Sequence, residues 1–239
     1  MAGEEGEEKE KALIFTAPPF DKPMADREMQ VYRVDTKLAG GNGTHLDIGD
    51  GDFIPTDSRE YFDFHCVANI SRDTRFPIEA HMMVHHPTKY AKMYDLAGVR
   101  YYSFHFEAKE IRQSSPEEIY KFVQWLQKQY IYVGLAINPE TTLEEVMEKL
   151  VLKRKFDYMA VMTVTPGVQG GKFIDGSHKI QVLKSLKMRV EVDGGMNDQT
   201  SKIVRAAGLG GNDIIVTGSH YNRAKTPEER KGIIINLKG

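Results

Sequence analysis

Short apolar runs recur along the chain and alternate with segments whose apolar residues have helical spacing. The runs are nearly continuous in apolar residues, which is typical of strands buried on both faces of a parallel sheet. We interpret eight of them as strands, at residues 12–17, 44–48, 77–84, 100–106, 131–137, 158–164, 188–192 and 214–217.

Helix-start signals separate these strands. Ser115 is followed by a proline and two acidic residues, and Thr226 is followed in the same way, which is the pattern of a capped helix N-terminus. Thr142 precedes Glu145 by three positions, so a capping box can form there. The pattern predicts helices at about 25–38, 57–70, 87–96, 116–129 and 198–207, others beginning near 141 and 226, and one ending near 186.

The alternation predicts the fold class. Eight strand–helix units in 239 residues indicate an α/β protein of the (β/α)₈ TIM-barrel type, whose usual size is about 250 residues. An open doubly wound sheet is the rival, and we prefer the barrel because no linker-like stretch divides the chain. We therefore expect a single barrel domain over 12–239. Residues 1–11 form a Glu/Lys/Gly run that predicts a disordered acidic tail.

Composition excludes several classes of protein. The net charge of −2 argues against a general nucleic-acid binder. The one cysteine, Cys66, rules out an internal disulfide and favours a cytoplasmic protein, and we expect it to be a core residue. No apolar run reaches the roughly 18 residues that a membrane span needs.

Polar residues collect at the predicted strand ends. His45 and Asp47 are two positions apart, so they face the same side of their strand. His81 lies late in the third strand and Asp193 ends the seventh. A single histidine of this kind is usually a satisfied core or loop residue. Four such residues at the catalytic end of a barrel indicate instead a site for Zn²⁺, Fe²⁺, Mn²⁺ or Co²⁺.

Glycine-rich loops follow the last three strands. They contain residues 165–171, Gly194-Gly195 and Gly218-Ser219. Each alone is compatible with simple turn chemistry. Together they predict a phosphate site, because glycine lets backbone N–H groups surround an anion and because barrels bind phosphate at these loops.

From Thr44 to its C-terminus the sequence resembles the ribulose-phosphate 3-epimerase family. The resemblance is carried by residues 45–55, 79–84, 102–108, 134–139, 162–167 and 192–195. It implies a barrel enzyme of the pentose phosphate pathway that uses one divalent metal ion. Such an enzyme interconverts D-ribulose 5-phosphate and D-xylulose 5-phosphate through an enediolate. We also expect a homodimer or a higher homo-oligomer.

The resemblance implies roles for individual residues. It makes Asp47 and Asp193 the acid/base pair. It gives metal ligands at His45, Asp47, His81 and Asp193, and substrate contacts at Met83, Met162, Gly167, Gly170, Gly195, Gly218 and Ser219.

Two departures keep other functions open. Gly49 stands where the family usually has methionine, and residues 168–171 replace its usual Phe-Gly-Gly-Gln. An epimerase of a six-carbon ketose phosphate and a non-catalytic phosphosugar-binding barrel are therefore alternatives. Retention of all four ligand positions argues against the second of these. A sugar-phosphate decarboxylase is disfavoured because the second strand offers no lysine beside its carboxylate.

Overall fold

The computed structural model describes residues 11–72, 75–152, 155–168 and 170–239. Eight parallel strands form a closed barrel in chain order, so the predicted (β/α)₈ fold is confirmed. Most of the tail predicted at 1–11 lies outside the described residues. The strands are β1 Leu13–Thr16, β2 Gly43–Gly49, β3 Ile78–Met83, β4 Tyr101–His105, β5 Tyr132–Ile137, β6 Tyr158–Met162, β7 Val190–Asp193 and β8 Ile214–Thr217.

The helices surround the barrel, and their predicted caps are present. Ser115 and Thr226 each form a capping box with the glutamate three residues later, and the Thr142 hydroxyl accepts from the Glu145 N–H. The helices are α1 Asp26–Leu38, α2 Phe64–Ile70, α3 Thr88–Ala97, α4 Lys109–Gln113, α5 Pro116–Lys128, α6 Leu143–Lys149, α7 Ser177–Ser185, α8 Thr200–Ala206, α9 Ser219–Asn222 and α10 Pro227–Lys238.

The segment 57–70 departs from its predicted single helix. Only α2 is helical, and it begins after Asp63, whose side chain accepts from the Cys66 N–H. The preceding residues instead bond to the end of β2 and to the residue after it: the Ser58 N–H donates to the Gly49 carbonyl, and Asp57 forms an isolated bridge with Asp50. The helices α4 and α9 were not predicted, since five and four residues are too short to show a helical period.

Aromatic rings fill the N-terminal end of the barrel. Phe15 and Tyr101 meet edge to face with centroids 5.3 Å apart, and Tyr158 packs 6.0 Å from Tyr101. These rings lie at the N-terminal end of the barrel, whereas Asp47, His81 and Asp193 lie towards the C-terminal ends of their strands. Cys66 is buried, as predicted. Within the described ranges, no helix combines the length and hydropathy of a membrane span.

Candidate metal centre and active site

The four predicted metal ligands meet at the C-terminal end of the barrel. Asp47 on β2 pairs in register with His81 on β3, and His45 lies one inward-facing position below Asp47. His45 Nε2 lies 3.0 Å from His81 Nδ1 and 3.3 Å from Asp47 Oδ1. Asp193 Oδ2 reaches in from β7, 3.6 Å from His45 Nε2 and 3.4 Å from His81 Nδ1. One ligand atom from each residue lies within 4.8 Å of all the others.

The spacing and chemistry of these atoms fit a divalent cation. Four atoms bound to one tetrahedral metal at about 2.0–2.2 Å lie about 3.3–3.6 Å apart. The His–His, His–Asp47 and His–Asp193 separations span 3.0–3.6 Å. Two imidazoles and two carboxylates are ligands that suit Zn²⁺, Fe²⁺, Mn²⁺ and Co²⁺.

Electrostatics favour charged groups in this cluster. Burial lowers the pKa of His45, but the carboxylates of Glu79 and Asp193 raise it more, so it lies well above its usual value. Burial raises the pKa of Asp47, but hydrogen bonds from His45 and His81 outweigh burial and hold it well below its usual range. His45 and Asp47 therefore both favour their charged forms, and a divalent cation held here would take the place of the proton on the ligating histidine nitrogen.

Glu79 orients His45 from behind. Its Oε2 atom lies 2.9 Å from His45 Nδ1, and its Oε1 atom accepts hydrogen bonds from Ser103 Oγ at 2.8 Å and from the Tyr158 hydroxyl at 2.6 Å. Burial raises the pKa of Glu79, but His45 lowers it more, to about 2. The ionised carboxylate holds a proton on His45 Nδ1, so Nε2 is the ring nitrogen that would hold a metal ion.

A second histidine stands behind His81. His81 Nε2 lies 2.8 Å from His105 Nε2, and His105 Nδ1 lies 3.4 Å from Glu107 Oε2. Glu107 Oε1 is held in turn by the Asn138 N–H and the Thr141 hydroxyl. Neither His105 nor Glu107 was predicted from the sequence to have a role. They form a histidine and an acid two positions apart at a strand end, as His45 and Asp47 do, and this repeated spacing could have indicated a role for them.

Glu191 is a buried acid next to Glu79. A carboxylate oxygen of Glu191, a carboxylate oxygen of Glu79 and a ring nitrogen of His45 all lie within 4.8 Å of one another. Within the described part of the chain, neither Glu191 oxygen has a hydrogen-bond partner. Burial and the charge of Glu79 raise the pKa of Glu191 well above its usual value. Burial and the neighbouring Glu79 carboxylate therefore both favour the protonated form of Glu191.

A cleft lies above the cluster of predicted metal ligands. Its apolar wall includes Met83 and Met162, and Asp47 and Asp193 line its base. The predicted phosphate-binding positions line the same cleft: Gly167, Gly170, Gly195, Gly218 and Ser219. Among the described residues, the N–H groups of Gly170, Gly195 and Gly218 donate to no protein acceptor. Such free amides provide donors for an anion.

The loop after β2 fills the space beside Gly49. A Cβ atom on Gly49 would lie 2.5 Å from Ile54 Cδ1 and 2.4 Å from the Thr56 carbonyl oxygen. Ile54 also lies 2.8 Å from the Cβ position of Gly167, which belongs to the loop after β6. Ser58 anchors this loop, because its hydroxyl donates to the Asp47 carbonyl and accepts from the Gly49 N–H. Ile54 thus supplies apolar atoms that a side chain at position 49 would otherwise provide.

Comparison with known proteins gives consistent similarities. A sequence profile described as the ribulose-phosphate 3 epimerase family matches residues 24–221. The ribulose-phosphate 3-epimerase of Aquifex aeolicus is 30% identical over 201 residues, covering 81% of this chain and 83% of that protein. That of Chlamydia trachomatis is 31% identical over 192 residues, covering 77% and 76%. The solved 3-hexulose-6-phosphate synthase of Salmonella typhimurium shares the fold, with a TM-score of 0.68, 14% identity, and coverage of 94% of this chain and 96% of its own.

Proposed function

Because this chain belongs to the ribulose-phosphate 3-epimerase family, we propose that it interconverts D-ribulose 5-phosphate and D-xylulose 5-phosphate by proton transfer at C3. The observation that carries the proposal is the meeting of two carboxylates, Asp47 and Asp193, at the base of a cleft rimmed by free backbone N–H groups. One divalent cation belongs to this proposal, with four ligands: His45, Asp47, His81 and Asp193.

The two aspartates suit an epimerisation. Inversion at C3 requires one group to remove a proton from one face and a second group to return a proton to the other. Asp47 comes from β2 and Asp193 from β7, so they reach the cleft from different sides of the barrel. In each direction one carboxylate is the base and the other, as a carboxylic acid, is the proton donor. When bound, the cation stabilises the negative charge that develops on the ketose as the C3 proton leaves.

Other residues of the cleft position the substrate. Met83 and Met162 place thioether side chains beside the reacting carbons and exclude water from them. The free N–H groups of Gly170, Gly195 and Gly218 bind the phosphate and fix the distance from it to C3. A phosphate anchored at the loops after β6, β7 and β8 directs the ketose towards the two aspartates.

The direct test is NMR spectroscopy in D₂O with ribulose 5-phosphate and the metal-loaded protein. We expect deuterium at C3 and growth of the xylulose 5-phosphate signals together. The corresponding six-carbon 2-ketose 6-phosphate is the comparison substrate, and we expect a lower kcat/KM with it. Binding of the pentulose phosphate with no C3 exchange would instead identify a non-catalytic phosphosugar-binding barrel.

A further inference from the structure

The phosphate end of the cleft lacks positive charge. None of the described residues that line the cleft is basic, whereas Asp47 and Asp193 are acidic. A phosphate monoester carries about −1.5 to −2 charges at pH 7. Backbone N–H groups contribute dipoles but no net charge, and the cation is already opposed by the two aspartates. A binding site of this composition benefits from a cationic side chain close to the glycine loops.

Arg223 lies at that place. It directly follows α9, and its Nη2 atom is 3.6 Å from the position that a Cβ atom would take on Gly170. Ser219 Oγ is 3.7 Å from the same point. Gly170 has a φ of +66°, which favours glycine, so this point stays free of a side chain. The guanidinium, the serine hydroxyl and the free Gly170 N–H are therefore gathered around one small space.

The Arg223 guanidinium is not neutralised by the protein. Arg59, Arg112 and Arg230 are each paired with a carboxylate, on Asp57, Glu145 and Asp35 respectively. Across the described ranges, the Arg223 side chain has neither a hydrogen-bond partner nor an ion-pair partner. It is also exposed, so its planar fork of donors is free to turn towards an anion.

We propose that Arg223 binds the substrate phosphate, together with Ser219 and the backbone N–H of Gly170. This proposal rests on the function proposed above and adds the cationic ligand that the glycine loops lack. Arg223 contacts the non-reacting end of the substrate, so it acts on binding and not on proton transfer. Its removal therefore raises KM and leaves kcat nearly unchanged.

The test compares Arg223→Gln, Arg223→Lys and a control, Lys225→Gln, which makes the same charge change two residues further on. For Arg223→Gln we expect KM for ribulose 5-phosphate and the inhibition constant of inorganic phosphate to rise together, roughly tenfold, with kcat within twofold of the parent. Arg223→Lys keeps the charge and recovers part of the loss. Lys225→Gln leaves both constants unchanged.

Calorimetric titration of inorganic phosphate into the metal-loaded protein separates this proposal from the function. In one outcome the parent binds phosphate, the Arg223→Gln variant binds it more weakly, and neither protein turns over ribulose 5-phosphate. The proposed function then fails, and the role of Arg223 in phosphate binding stands. If the parent turns over ribulose 5-phosphate and Arg223→Gln keeps the parental KM and phosphate affinity, the role of Arg223 is overturned. Absence of phosphate binding by the parent also overturns it.

Discussion

The Nε2 atoms of His81 and His105 lie 2.8 Å apart on rings that stack with centroids 4.9 Å apart. A metal ion held by His81 Nδ1 would require the ring proton of His81 to be on Nε2, and that N–H would donate a hydrogen bond to His105 Nε2. His105 then carries its own proton on Nδ1, facing Glu107. In both predicted histidine ligands, the ring nitrogen that faces away from the cluster has a partner: the Glu79 carboxylate for His45 and the His105 imidazole for His81.

We expect His105→Phe to weaken metal binding by about 10–100-fold, the usual cost of losing an outer-shell partner. Phenylalanine retains ring packing against Phe53 but cannot accept from His81. Competition with a chromophoric chelator measures the affinity, and the Co²⁺ absorption spectrum reports the ligand geometry. His178→Gln, on an exposed position of α7, is the matched control. Unaltered affinity and spectrum in His105→Phe would show that His81 is oriented without His105.

We expect Asp193→Asn to fold normally and to lose at least about 10³-fold in kcat, because an amide can neither accept nor return the C3 proton. Asp193 is also a predicted metal ligand, so metal content is measured alongside activity. Reloading with excess cation should restore occupancy without restoring turnover. Appreciable turnover at full occupancy would remove Asp193 from the acid/base role.

We expect Gly49→Met to destabilise the protein by about 2–3 kcal/mol, because its Cβ would collide with Ile54 and with the Thr56 carbonyl. Urea unfolding gives the free energy. The control is Gly232→Ala on α10, where an added Cβ meets no atom within 4 Å. That change should stabilise the helix by about 0.5–1 kcal/mol. Equal stability of Gly49→Met and the parent would mean that the loop after β2 moves aside without loss.

We expect the Cys66 thiol to resist alkylation in the folded protein. Burial, with further contributions from Asp26 and Asp63, raises its pKa from 9.0 to about 11. Because the thiol pKa is raised on folding, its contribution to stability is complete below about pH 9 and is lost as the pH rises towards 11. Iodoacetamide labelling at pH 8 with and without urea checks the first point. Rapid labelling of the native protein would contradict it.

The strands and helix caps were predictable because their signals are local. An apolar run or a Ser-x-x-Glu helix start lies within a few residues. Because barrels carry their functional polar groups at strand ends, the predicted strands also indicated His45, Asp47, His81 and Asp193. The supporting contacts were not predictable in this way. Glu79 meets His45 only because β2 and β3 pair in one register, and Ile54 fills the space beside Gly49 only because its loop folds inward. No sequence pattern around an exposed arginine such as Arg223 predicts that it lies close to the glycine loops.

The pairing of β1 with β8 joins the two ends of the chain, and this has a consequence during synthesis. Three of the predicted metal ligands, His45, Asp47 and His81, are synthesised long before the fourth, Asp193, so a growing chain carries an incomplete set of these ligands for most of its translation. Asp193 is on β7, which is synthesised just before β8, the strand that closes the barrel. A product truncated before β7 therefore lacks one of the four predicted ligands as well as the last two strands of the barrel.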